Sequence, residues 1–118
     1  MAALRPLKVR WARRARLHLA GIEEFIGPRN SKAAERIGAA IRSAVRLLQD
    51  FPNAGRPGRA AGTREWVVRG LPYIIVYEVL ADGNELHVLG VFHGAQQRPD
   101  DWAKIMPNGR LHAFRVGG

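Results

Sequence analysis

The sequence predicts one α+β domain: an N-terminal strand and a two-helix hairpin, followed by a three-stranded antiparallel meander. Three observations carry this reading. Ala33, Ile37, Ala40, Ile41, Ala44, Val45, Leu48 and Phe51 recur at spacings of three and four, as on the buried stripe of a helix. The run YIIVYEVL, residues 73–80, is apolar on both alternations except at Glu78, as in a central strand covered on both faces. The links around it, Gly70-Leu71-Pro72 and Ala81-Asp82-Gly83-Asn84, are too short to join anything but antiparallel neighbours, and Asp-Gly is a hairpin signal. A chain of 118 residues, 47% hydrophobic and 25% charged, suits a single domain with a modest core.

Taken in order, LKVRW is a short strand, and Trp11, Ala15, Leu19, Ile22 and Ile26 form one stripe of a first helix, which Gly27-Pro28-Arg29-Asn30 ends. The second helix runs from Ser31 to the Phe51-Pro52 stop, with Lys32, Glu35, Arg36, Arg42 and Arg46 turned to water. Asn30 or Ser31 caps its N-terminus by accepting a backbone N–H bond. Strands are expected at 64–69, 73–80 and 85–92. The segment from Arg98 onward forms a short C-terminal helix or tail, giving a domain over 1–106 and a loose terminus over 107–118.

Charge is the second theme. Nineteen Lys plus Arg stand against ten Asp plus Glu, a net +9, which favours a polyanionic or acidic partner over a membrane span. Four arginines, Arg56, Arg59, Arg64 and Arg69, fall in GRPGRAAGTREWVVRG, where glycine and proline shape an exposed bent loop. The chain has no cysteine, so disulfides and thiolate metal sites are excluded. His18, His87 and His112 offer no paired spacing for a metal, and no cofactor is expected. No apolar run is long enough for a signal peptide or a membrane span, which points to the cytoplasm.

The segments AAERIGAAIRSAVRLLQDFPNAGRPGR, GTREWVVRGLPYIIVYEV and VLGVFHGAQQ, in this order, resemble the RelE/ParE superfamily of bacterial type II toxins over about Val9 to Trp102. The resemblance implies a compact α+β toxin that arrests growth and is held inactive in a hetero-oligomer with a small, acidic cognate antitoxin. It also implies two alternative chemistries. A RelE-like enzyme cleaves ribosome-bound mRNA without a metal, using cations to stabilise the phosphorane and groups that move protons. Arg64, Arg69 and His93 are the catalytic candidates in that case. A ParE-like toxin binds and poisons DNA gyrase without catalysis, and Arg56, Arg59, Arg64, Arg69 and His93 are then the target-binding candidates. Many RelE-like enzymes carry a basic residue and a tyrosine after the last strand; this chain has Gly94, Ala95, Gln96, Gln97, Arg98 and Pro99, with no tyrosine after Tyr77. That departure favours the ParE-like branch.

Tyr73, Ile75 and Tyr77 are read as antitoxin contacts, with core packing as the ordinary alternative for aromatics in an apolar strand. A third reading is a basic nucleic-acid-binding protein that is harmless when expressed alone.

Overall fold

The computed structural model describes residues 6–80 and 84–94. Two helices cover a five-stranded mixed sheet. The chain forms β1 (Lys8–Trp11), α1 (Arg13–Ile26), α2 (Ser31–Asp50), β2 (Arg56–Pro57), β3 (Arg64–Val67), β4 (Tyr73–Leu80) and β5 (Glu85–His93), with strand order β1-β5-β4-β3-β2. The expected meander is β3, β4 and β5, antiparallel throughout. The sheet extends beyond it on both sides. β1 pairs in parallel with β5, Lys8 opposite Glu85 through Trp11 opposite Val88. At the other edge, β2 arises inside the arginine loop and pairs with β3. Val68 lies beyond β3 because its N–H already closes the turn onto the Tyr73 carbonyl, with Gly70 at φ 75°. The Asp82-Gly83 turn, the C-terminal helix or tail, and the boundary at residue 106 lie outside the described residues.

The helices form where the periodicity places them. Asn30 caps α2, its side chain accepting from the Ala33 N–H at 3.0 Å, and Ile41, Val45 and Leu48 are buried on its inner face. Burying each such side chain contributes roughly 1.5–3 kcal/mol, against about 1 kcal/mol for a cap, so packing rather than capping holds this helix. Lys32, Glu35, Arg36, Arg42 and Arg46 are exposed, as expected. α1 has no side-chain cap at Ala12; its C-terminal carbonyls are met from beyond the helix by Arg29, which donates to the Phe25 carbonyl at 2.7 Å and lies over the Phe25 ring.

Paired residues of a sheet share a face. Val9, Trp11, Leu86, Val88 and Tyr77 therefore line the helix side, in one core with Leu19, Ile41, Val45 and Leu48. On the opposite side, Arg10, His87 and Glu78 lie in one row across β1, β5 and β4. There His87 Nε2 meets Glu85 Oε1 at 2.6 Å, and this hydrogen bond holds the Glu85 carboxyl below its ordinary range.

Beyond Val88, where β1 ends, the edge of β5 is sealed from α1: the Val91 N–H donates to His18 Nδ1 at 3.1 Å, and the His18 ring packs 4.9 Å from Phe92. An imidazole accepting at Nδ1 must be neutral, with its one proton on Nε2. Burial, then the nearby Arg14, hold the His18 pKa below its ordinary 6.5. A lowered native pKa contributes stability that is complete above about pH 6.5 and is lost as pH falls through the native value. The thermal midpoint should therefore fall between pH 7.5 and 5.5, and His18→Asn, which keeps an acceptor that does not titrate, should flatten that slope. An unchanged slope in the variant would show that His18 does not set it.

Candidate functional site

The arginines predicted as one surface fall into two groups. Register sets the division: Arg64 lies in the row Arg64–Tyr77–Val88, whereas Val68 and His93 both oppose Tyr73. Four residues along a strand separate those rows, roughly 13 Å. Arg69 is exposed just past the second row, in the turn toward β4, and His93 is exposed at the end of β5 with its ring edge-on to Tyr73 at 5.6 Å.

In the first group each arginine has a local structural tie. Arg56 Nη2 lies 3.3 Å from Oε1 of its cross-strand partner Glu65, which is buried, while Arg56 itself is largely exposed. Arg64 Nη1 donates to the Gly55 carbonyl at 2.7 Å and more weakly to the Asn53 carbonyl at 3.4 Å. Arg59 is exposed on the loop tip, which the Gly58 N–H closes by donating to the Thr63 carbonyl at 2.8 Å and Thr63 Oγ1 by donating to the Ala60 carbonyl at 2.6 Å. Gly62 takes φ 81° in the same turn, a conformation that favours glycine. The edge displays Arg56 and Arg59 to solvent and uses Arg64 as a clamp.

The three residues read as antitoxin contacts are enclosed by the chain itself. Ile75 and Tyr77 have no exposed surface and Tyr73 keeps 8%, because β4 is covered by neighbouring strands and by the helices. Tyr77 instead turns its hydroxyl toward the arginine loop, accepting from the Gly55 N–H at 2.9 Å and donating to the Pro52 carbonyl at 2.8 Å. Burial pushes its pKa up, against the opposing pull of the Gly55 bond and Arg64, so at neutral pH the phenol keeps the proton it donates.

Two surfaces that the sequence reading did not single out are open among the described residues. A groove of about 510 Å³ runs beside β1 between the helices, with Val9, Trp11 and Leu19 in its floor and Arg16, Arg42 and Arg46 at its rim, where Arg42 meets Glu23 at 3.5 Å. β1 is the outer strand there. The Gln49 carbonyl and Nε2 tie Leu7, and Arg16 donates to the Trp11 carbonyl, so the Val9 peptide groups point outward between two ties. A second groove, about 530 Å³, has exposed Leu17 and Phe25 beside Gly21 on α1, and reaches Tyr73 and His93. Among the described residues no three His, Asp or Glu side chains converge on a metal position, and no helix is long and apolar enough to cross a membrane.

A helix hairpin laid over a five-stranded mixed sheet is the fold of RelE/ParE toxins. The ParDE system from Pseudomonas aeruginosa superposes with a TM-score of 0.67 at 24% identity, covering 74% of this chain and 95% of that one. The RelBE2 toxin–antitoxin complex from Mycobacterium tuberculosis gives 0.59 at 23%, over 81% and 100%. In sequence, this chain is 40% identical over 92 residues to a protein named toxin Y4kP from Sinorhizobium fredii, covering 78% of this chain and 93% of that one. It is 36% identical over 89 residues to Toxin RelE2 from Caulobacter vibrioides, covering 75% and 97%. Residues 9–98 match the family described as ParE toxin of type II toxin-antitoxin system, parDE, and the chain belongs to that family.

The two kinds of arginine separate on stability. Arg64→Ala leaves a part-buried carbonyl without its donor and should cost about 1–2 kcal/mol. Arg69→Ala removes an exposed charge and should stay within about 0.5 kcal/mol of the parent. Urea denaturation of both variants measures the difference, and equal midpoints would show that Arg64 is not a clamp.

Proposed function

We propose that this toxin arrests growth by binding and poisoning DNA gyrase, with the exposed Arg56 and Arg59 edge meeting an acidic target surface. The observation that carries the reading is the division of the cations. Of the three catalytic candidates, Arg64 sits in a row roughly 13 Å from that of His93 and is engaged in backbone bonds, which leaves only Arg69 on the His93 side. Proton transfer needs groups within hydrogen-bond reach of one reacting atom, whereas a binding surface needs only displayed charge. The match over 9–98 to the ParE family supports the same branch. In this reading His93 and Arg69, which stand apart from the Arg56–Arg59 edge, move no proton.

Neutralisation is assigned to a small acidic antitoxin. Its extended segment adds to the outer edge of β1 through the Val9 peptide groups, and an amphipathic segment fills the adjoining groove, where Arg16, Arg42 and Arg46 draw carboxylates. Tyr73, Ile75 and Tyr77 then support the domain from within, and the antitoxin meets the groove residues instead.

Parallel assays of the antitoxin-free protein test the target. Gyrase supercoiling should be inhibited while message in a cell-free translation reaction stays intact, and His93→Ala should inhibit gyrase about as well as the parent. Message cleaved during translation, with cleavage lost in a folded His93→Ala protein, would make the endoribonuclease the better account. A protein without effect in either assay and harmless on expression would return the basic-binding-protein reading.

A further inference from the structure

The proposed target edge hangs on a hydroxyl that comes from the core. Tyr77 lies in β4 with no exposed surface, and its hydroxyl reaches past β3 to hold Gly55 by its N–H and Pro52 by its carbonyl. On the other side of the same peptide segment, Arg64, the residue paired with Tyr77 across β3 and β4, holds the Gly55 carbonyl. Gly55 is thus gripped at both polar groups immediately before β2. The fit excludes a side chain: a Cβ on Gly55 would lie 2.5 Å from the Tyr77 hydroxyl and 2.9 Å from the Glu65 carbonyl. Arg56 is the next residue, and its strand pairing with Glu65 is possible only while Gly55 stays in this place.

We infer that Tyr77 and Arg64 are positioning residues that set the register of the Arg56–Arg59 edge against its target, and that Gly55 is the residue through which they act. This rests on the target-binding reading of that edge. The buried hydroxyl is spent on two backbone groups of the loop, and through them it fixes where two exposed guanidinium groups stand. Two short β2 pairs are too few to hold an edge strand alone, so the tie to the core supplies the missing constraint. Preorganising charge in this way raises affinity by removing the ordering cost from the binding step.

The test uses the full chain and purified DNA gyrase. Tyr77→Phe keeps the ring in the core and removes only the hydroxyl; Gly55→Ala keeps the hydroxyl and displaces the loop. Both should remain folded by circular dichroism, show faster amide exchange at Gly55 and Arg56 than the parent, and inhibit supercoiling about tenfold more weakly. Ile41→Val, a core change on α2 far from the loop, serves as the stability control: it should lower the thermal midpoint and leave inhibition unchanged. If Ile41→Val weakens inhibition as much as Tyr77→Phe does, the effect is general destabilisation and the inference fails. An Arg56→Ala/Arg59→Ala double variant separates the two levels. Loss of inhibition there with full inhibition by Tyr77→Phe and Gly55→Ala overturns the positioning role and leaves the target reading standing. Full inhibition by the double variant removes the target reading, and the inference with it. Should Tyr77→Phe fail to fold, Gly55→Ala decides alone.

Discussion

The ladder between β4 and β5 is the constraint on which the remaining elements depend. It runs from Tyr73 opposite His93 to Leu80 opposite Glu85, with an irregularity at Val76 and Tyr77. Nearly every side chain along both strands is buried, so slipping the register by one residue would turn Tyr77 and Val88 away from the helices and carry Glu78 and His87 into the apolar core. The partners of these two strands follow from that fixed register. β5 accepts β1 along its first half and the His18 ring along its second, while β4 carries β3, and β3 carries the arginine edge.

That arrangement explains how a domain with a strongly positive charge can fold without suppressing it. The acids nearest the sheet are used locally: Glu65 against Arg56, Glu85 against His87, Glu23 against Arg42. The exposed Arg42–Glu23 pair contributes little to stability. The two arginine pairs orient one end of a cation whose remainder faces solvent, and the positive field survives for a partner to meet. Arg56 shows the pattern most clearly, because its anchor is 4% exposed and its own side chain is 59% exposed.

The legible parts of the sequence were those governed by local periodicity. The α2 stripe, the Asn30 cap, the breaks at Gly27 and Phe51, and the β4 and β5 spans could be read because each depends on residues a few positions apart. The parallel partnership of β1 with β5 joins residue 8 to residue 85, and nothing in LKVRW encodes its partner. β2 was hidden because two residues, one of them proline, carry no strand pattern. The charge cluster was visible as composition, but not its partition into displayed and clamping arginines, which depends on which carbonyls the fold brings within reach. Tyr77 shows where a signal existed: a phenol inside an apolar run needs a hydrogen-bond partner when buried, and the nearby glycine-proline loop was the available source. Reading the ring as a partner contact left its hydroxyl without a role.

The pairing of β1 with β5 also fixes when the molecule can assemble. A chain emerging from the ribosome can form its helix hairpin early, since those contacts are local, but the outer edge of the sheet cannot close until residue 88 is free to meet Trp11. A nascent chain halted before β5 has neither the β4–β5 ladder nor a seat for β1. Prematurely terminated products therefore lack both the sheet that shapes the arginine edge and the strand edge beside the basic groove. A chain built this way gains its arginine edge and the strand edge beside its basic groove in the same late step of synthesis.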